Sequence, residues 1–181
     1  MSIFEIDVKK KIPNSLSKIY FGMGCFWGAE RKFWHLEGLY STAVGYTGGH
    51  TKDPNYESVC TGQTGHAEVV KVIYDEQKAC LNKLLKIFWE SHDPTQLNRQ
   101  GNDIGTQYRS MILADDKHLI PKLLDSKNKF QTELDKFSYG SIKTEIKVID
   151  EFYLAENYHQ KYLHKNPNGY CGLKGTGASY T

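Results

Sequence analysis

Two hydrophobic periods alternate along this chain, and each change of period marks an element. Between His66 and Tyr74, residues Glu68, Val70, Val72 and Tyr74 share one side, because successive strand residues point to opposite faces; this is the clearest predicted strand. Lys18 to Gly22, Leu39 to Tyr46, Gln107 to Leu113 and Ser141 to Ile149 carry shorter strand patterns, the last with Ile142, Thr144, Ile146 and Val148 in alternation. Helical spacing takes over from Phe26 to about Glu37 (Phe26, Ala29, Phe33, Leu36), with Gly38 where a C-terminal cap belongs. It recurs from about Leu81 to Ser91 and Lys117 to Phe137, where Pro121 is tolerable only near the first turn, and the basic, aromatic stretch Ala155 to His164 predicts a last helix. Pro54 to Cys60 is a short helix candidate, and Asp93 to Gly105 a polar loop. Strands and helices alternate, and the helices are long enough to cover a sheet. The expected fold is therefore α+β, a two-layer sandwich around a mixed sheet, with strand order left open.

Residues 1–17 form a loosely held leader in this reading, 18–165 the folded domain, and 166–181 a mobile Gly-rich tail with four glycines between 169 and 177. A chain of 181 residues favours one domain and buries roughly 70% of its unfolded surface. Hydrophobic residues at 39% and charged residues at 24% exclude a disordered chain. The balance of 23 Lys+Arg against 21 Asp+Glu leaves +2, too little basic excess for an electrostatic nucleic-acid binder. No apolar run reaches the ~18 residues a membrane span needs. The first residues lack a signal-peptide core, so the cytoplasm is the expected compartment. Cysteines 25, 60, 80 and 171 contain no CxxC pair, and free thiols are expected there.

The chemistry begins at Gly22-Met-Gly-Cys25-Phe-Trp-Gly28, between a strand and a helix. As a dinucleotide loop it fails, because Phe26 and Trp27 crowd the diphosphate and no acidic residue ends the next strand. A thiol at a helix N-terminus fits better, where unpaired N–H groups and the helix dipole are expected to lower its pKa. His66-Ala-Glu68 is half of a zinc deaminase signature, but the P-C-x-x-C half is missing and no zinc site is expected. Glu68 shares its strand face with Val70, Val72 and Tyr74, and buried there it would suit a proton donor because burial raises a carboxyl pKa. Taken alone, a strand-end Glu paired with a Lys or Arg is the stronger reading. The loop from Gln100 to Arg109 is rich in hydrogen-bonding side chains, and Cys171 puts a second thiol on a flexible tether. Alone, each of the last two features is equally compatible with a turn satisfying itself and with an idle tail cysteine.

Six segments appear in fixed order: Gly24-Cys-Phe-Trp-Gly28, Gly45-Tyr-Thr-Gly-Gly49, Gly65-His-Ala-Glu68, His92-Asp-Pro-Thr95, Gln100 to Arg109, and Asn166-Pro-Asn-Gly-Tyr-Cys-Gly172. Together they resemble the A-type peptide-methionine sulfoxide reductases from about Ile19 to Gly177. The resemblance implies a two-layer α+β fold and reduction of the S epimer of methionine sulfoxide, free or in oxidised proteins. It implies Cys25 as nucleophile at the sulfoxide sulfur, with Phe26 and Trp27 forming the pocket for the methyl group. Glu68 would protonate the sulfoxide oxygen, helped by Tyr56 and Tyr108, with Asp103 organising that network. Cys171 would recycle the Cys25 sulfenic acid as a disulfide reduced by thioredoxin. No cofactor or metal is implied, and a monomer is expected. One departure is clear. Some relatives carry a further recycling cysteine where this chain has Ser179, so thioredoxin would act directly on the Cys25–Cys171 bond, and Cys60 and Cys80 are bystanders. The rival readings are a cysteine hydrolase using Cys25 with His66 as base, and a redox-sensing domain without turnover.

Overall fold

The computed structural model describes residues 4–181, so the first three residues of the expected leader lie outside it. The chain runs β1 (Ser17–Gly22), α1 (Phe26–Phe33), β2 (Leu39–Thr47), α2 (Tyr56–Cys60), β3 (Ala67–Tyr74), α3 (Leu81–Ser91), β4 (Arg99–Gln100), β5 (Asp103–Ile104), β6 (Met111–Ala114), α4 (Ile120–Asp135), β7 (Glu145–Val148), β8 (Phe152–Leu154) and α5 (Tyr162–Lys165). Six strands form one mixed sheet in the order β7-β6-β1-β3-β2-β8, and β4 pairs with β5 in a separate hairpin. The pair β6–β7 is parallel and the other neighbours are antiparallel.

β3 lies at the centre because it is apolar on both faces. Val70, Val72 and Tyr74 pack with Phe21, Val44 and Ile112 under Phe33, Phe88, Trp89 and Phe130 of the helices, and this is the main core. Ala67 and Val69, on the opposite face, join Tyr20, Met111 and Leu113 under Phe152 in a smaller cluster. The alternation seen in the sequence is thus the division between the two sides of β3. Glu68 continues the core-facing row, opposite Tyr46 of β2, at the sheet end where α1 begins.

Several expected boundaries move, each for a local reason. The first helix stops at Phe33 rather than Glu37, and Gly38 stands beyond it with φ +84°. Thr106–Tyr108 is a turn of 3-10 helix, so the strand expected from Gln107 starts only at Met111. Ser141–Thr144 is not paired in the sheet; Ile142 N–H donates to Gln131 Oε1 and Lys143 N–H to Pro94 O instead. The helix expected over Ala155–His164 is interrupted by Lys161 at φ +54°, leaving only α5. Pro121 does sit in the first turn of α4.

Beyond α5 there is no regular structure, yet the end of the chain is held down. Ala178 and Tyr180 are buried, Tyr180 N–H donates to Glu90 Oε1 at 2.8 Å, and Tyr139 Oη–H donates to Thr176 O at 3.2 Å. The stretch carrying Cys171 is therefore anchored at both ends.

Candidate active site

A sharp turn delivers the first thiol. Gly24 adopts φ +93°, and a Cβ there would lie 2.7 Å from the Gln100 side chain, so backbone conformation and space both require glycine. Cys25 follows as the N-cap of α1. The expected lowering of its pKa is overturned. Burial, then the Glu68 charge, push the thiol up, and the N–H groups of Trp27 and Gly28 only partly oppose this. A helix N-terminus favours an anion, but here desolvation outweighs it and a carboxyl shares the same end.

That carboxyl is Glu68, wholly buried, with Oε2 accepting the N–H of Phe26 at 3.0 Å. Burial raises its pKa to about 8; the Asp103 charge adds to the rise and the Phe26 N–H works against it. Near neutral pH the carboxyl carries its proton; it ionises below the pH at which the raised thiol does, so its charge is present when Cys25 titrates. Tyr56 and Tyr108 are raised first by burial, and both also feel the Glu68 charge, which puts the two phenols within electrostatic reach of the acid. Asp103 is raised by burial, and the hydrogen bond it receives comes from Tyr170 at 3.3 Å. This contact ties the β4–β5 hairpin to the residue beside Cys171, and the Asp103 charge also reaches Glu68 and Tyr108.

Phe26 is buried with its ring centroid 5.0 Å from that of His159, and Trp27 is gripped on two sides. Trp27 Nε1–H donates to His159 Nδ1 at 2.9 Å, and its ring stacks on Tyr162 at 3.8 Å and 14°. His159, Tyr162 and Tyr170 are the residues that sequence reasoning missed. The signal was available only as an aromatic-rich stretch, since nothing local shows that it folds back over α1.

The second thiol arrives from the same direction. A Cβ built on Gly28 would lie 2.8 Å from Cys171 Sγ and 2.9 Å from Leu173 Cδ1, so Cys171 rests on the first turn of α1, one helical turn from Cys25. Both thiols are free. Gly28→Ala should push Cys171 off this surface and slow disulfide closure by about tenfold, because a displacement near 1 Å costs up to about 10²-fold in a positioned reaction. Quenched-flow trapping of free thiols after one turnover measures it, and unchanged closure would detach Gly28 from Cys171 approach.

His66, the rival base, is engaged elsewhere: Nδ1 accepts Gly49 N–H at 3.1 Å and Nε2 donates to Thr51 O at 2.7 Å. Both ring nitrogens are occupied in holding the 49–51 loop. Cys60 and Cys80 are exposed. Among the described residues, no group of three His, Cys, Asp or Glu side chains is arranged to hold a metal, and no helix is long and apolar enough to cross a membrane.

A thiol and a proton-bearing carboxyl at one helix start, with a second thiol over the same helix, define a cysteine-dependent oxidoreductase built on an α+β sheet. The chain belongs to the peptide methionine sulfoxide reductase family, whose sequence model matches residues 17–179. It is similar to peptide methionine sulfoxide reductase MsrA of Methylococcus capsulatus, 54% identical over 94% of this chain and 77% of that protein. Methionine sulfoxide reductase A of Corynebacterium diphtheriae has a similar structure, with TM-score 0.84 and 42% identity over 88% of this chain and 79% of that one. The reduced form of Mxr1 from Saccharomyces cerevisiae superposes with TM-score 0.83 at 38% identity, over 90% and 92% of the two chains.

Proposed function

We propose that this enzyme reduces the S epimer of methionine sulfoxide, free or within oxidised proteins, using Cys25, Glu68 and Cys171 in turn. The observation that carries the reading is the buried Glu68 carboxyl held on the N–H of Phe26, the residue immediately after the Cys25 thiol. The Cys25 sulfur attacks the sulfoxide sulfur while Glu68 gives its proton to the oxygen. The proton lost by the thiol returns to the Glu68 carboxylate. The hydroxyl then passes from the substrate sulfur to the Cys25 sulfur as the bond between the two sulfurs breaks, so that methionine departs and Cys25 is left as a sulfenic acid. A developing oxyanion in an apolar pocket would be prohibitively costly, so the donor belongs at the oxygen. Phe26 and Trp27 receive the methyl group, and Tyr56 and Tyr108 assist at the oxygen.

Recycling follows. Cys171 sulfur attacks Cys25 sulfur, the sulfenic hydroxyl leaves as water, and the Cys25–Cys171 disulfide forms; thioredoxin, a dithiol, then reduces it by exchange and is itself oxidised. Residues 166–172, between α5 and the anchored end of the tail, are the part that moves. The enzyme works as a cytoplasmic monomer without metal or cofactor, and the near-balanced charge of the chain supports no nucleic-acid partner. Oxidation of NADPH by thioredoxin reductase and thioredoxin, dependent on methionine sulfoxide, tests the whole reading. Acyl transfer alone would favour the hydrolase, and no turnover the sensor.

Cys171→Ser isolates the second step. It should release about one methionine per enzyme without reductant and then stall with thioredoxin, because Cys171 acts only after the sulfoxide is reduced. An undiminished thioredoxin-coupled rate would transfer the recycling role to Cys60 or Cys80, and peptide mass mapping would identify which.

A further inference from the structure

The wall around Trp27 is fixed by a buried ion pair that the mechanism above does not use. Lys161 is the residue at φ +54° between His159, which accepts the Trp27 indole N–H, and Tyr162, which stacks on its face. One carboxylate grips both ends of Lys161. Glu30 Oε2 accepts its backbone N–H at 2.9 Å, and Glu30 Oε1 accepts Nζ at 3.0 Å. Nζ also donates to Thr42 Oγ1 at 2.7 Å and to Thr42 O, and Thr42 Oγ1–H donates to Glu30 Oε1 at 2.8 Å. All three residues are buried.

Stability alone is a poor reason for this arrangement. A buried ion pair loses in desolvation about what it gains in attraction, and apolar replacements of similar volume are often neutral or better. A left-handed lysine adds a backbone cost of its own, of a kind that concentrates at functional sites. The placement has a geometric consequence instead. Glu30 lies one helical turn after Phe26 and Trp27 on α1, so the helix that carries the pocket wall also carries the anchor of the segment closing over it. The left-handed bend turns the chain so that His159 meets the indole edge while Tyr162 covers its face.

We propose that Lys161, gripped by Glu30, is a positioning residue for methionine sulfoxide, setting the pocket by holding His159 and Tyr162 on Trp27. The inference rests on the sulfoxide-reductase reading. Wild-type reduction of methionine sulfoxide in the same assay separates failure of that reading from failure of this one.

The test uses the double variant Glu30→Gln/Lys161→Met, which removes both charges and so leaves no unpaired buried ion. Single-turnover reduction of free methionine sulfoxide by the reduced full-length enzyme gives a half-saturating concentration and a saturated rate. The first should rise about tenfold while the second falls less than about threefold, the signature of lost substrate positioning rather than lost chemistry. Nitrogen-15 spectra supply the second readout, with the Trp27 indole signal assigned through Trp27→Phe. Its N–H should exchange with solvent about tenfold faster, while the Trp89 indole, which donates to Ser126 Oγ at 3.2 Å in the core, should not change. A merely structural pair would accelerate both indoles or neither. If either readout stays within twofold of wild type, or both indoles accelerate together, the proposal is overturned. Should the double variant not fold, Lys161→Asn keeps a residue tolerant of positive φ but cannot span to Glu30 and Thr42, and the same criteria apply.

Discussion

Cys25→Ser should abolish methionine release even in the first turnover, by about 10⁴-fold or more, the scale on which enzymes lose activity when their nucleophile is deleted. The reason is chemical rather than structural. A serine oxygen is a far weaker nucleophile at sulfur than a cysteine sulfur, and attack would have to form a sulfur–oxygen bond that cannot be exchanged by Cys171. The exchange of sulfur for oxygen leaves α1 and its cap geometry in place, so circular dichroism and the melting temperature should stay near wild type. Rapid quench of reduced enzyme with methionine sulfoxide, followed by amino-acid analysis, reads the outcome. A rate within tenfold of wild type would remove Cys25 from the attacking role. The raised thiol pKa is compatible with that role because, in the proposed reaction, the thiol hands its proton to the acid as it attacks, so a resting thiolate is not required.

Glu68→Gln should slow the same step by about 10²–10⁴-fold, the usual worth of general acid catalysis. Glutamine keeps the shape and an oxygen for the Phe26 N–H, but it has no acidic proton to give. The wild-type rate should fall as pH rises through about 8, where the carboxyl loses its proton, and the Gln variant should lack that alkaline limb. If both proteins share the limb, the donor is another group, and Tyr56 or Tyr108 becomes the next residue to change.

The same group makes a stability prediction with a fixed sign. Folding raises the Glu68 pKa from 4.5 to about 8, so between those values the folded state holds a proton that the unfolded state has released. Stability therefore falls as pH rises through that window. Glutamine escapes this loss, so the stability of the variant relative to wild type should increase from pH 5 to pH 8. Urea melts at the two pH values measure the difference, and parallel pH dependence would mean that Glu68 is not buried as a protonated acid. The expected increase, with loss of the alkaline limb in the Gln variant, would fit the general exchange of stability for activity at functional sites.

What the sequence determined by itself was local. Alternation around Val70 and Val72 made β3 legible, and helical spacing located α1, α3 and α4, because each pattern reflects burial against one neighbouring layer. Pro121 could be confined to a first turn by its geometry alone. The six motifs carried the family, whereas the strand row alone left Glu68 open between a buried acid and an ion-paired strand end, and only the fold buried it. Only the tertiary structure decided the rest. The Cys25 pKa rose rather than fell because burial and the charge of Glu68, contributed by the distant strand β3, outweigh the helix N-terminus. The last predicted helix broke at Lys161 because Glu30, 131 residues earlier, grips that residue in a left-handed bend. His159 and Tyr162 became part of the site for the same reason, and Cys171 met α1 only because Gly28 leaves room for its sulfur. Periodicity reports which face of an element is buried; it carries no record of which distant carboxylate or ring will lie against that face, and at this site those distant partners set the chemistry.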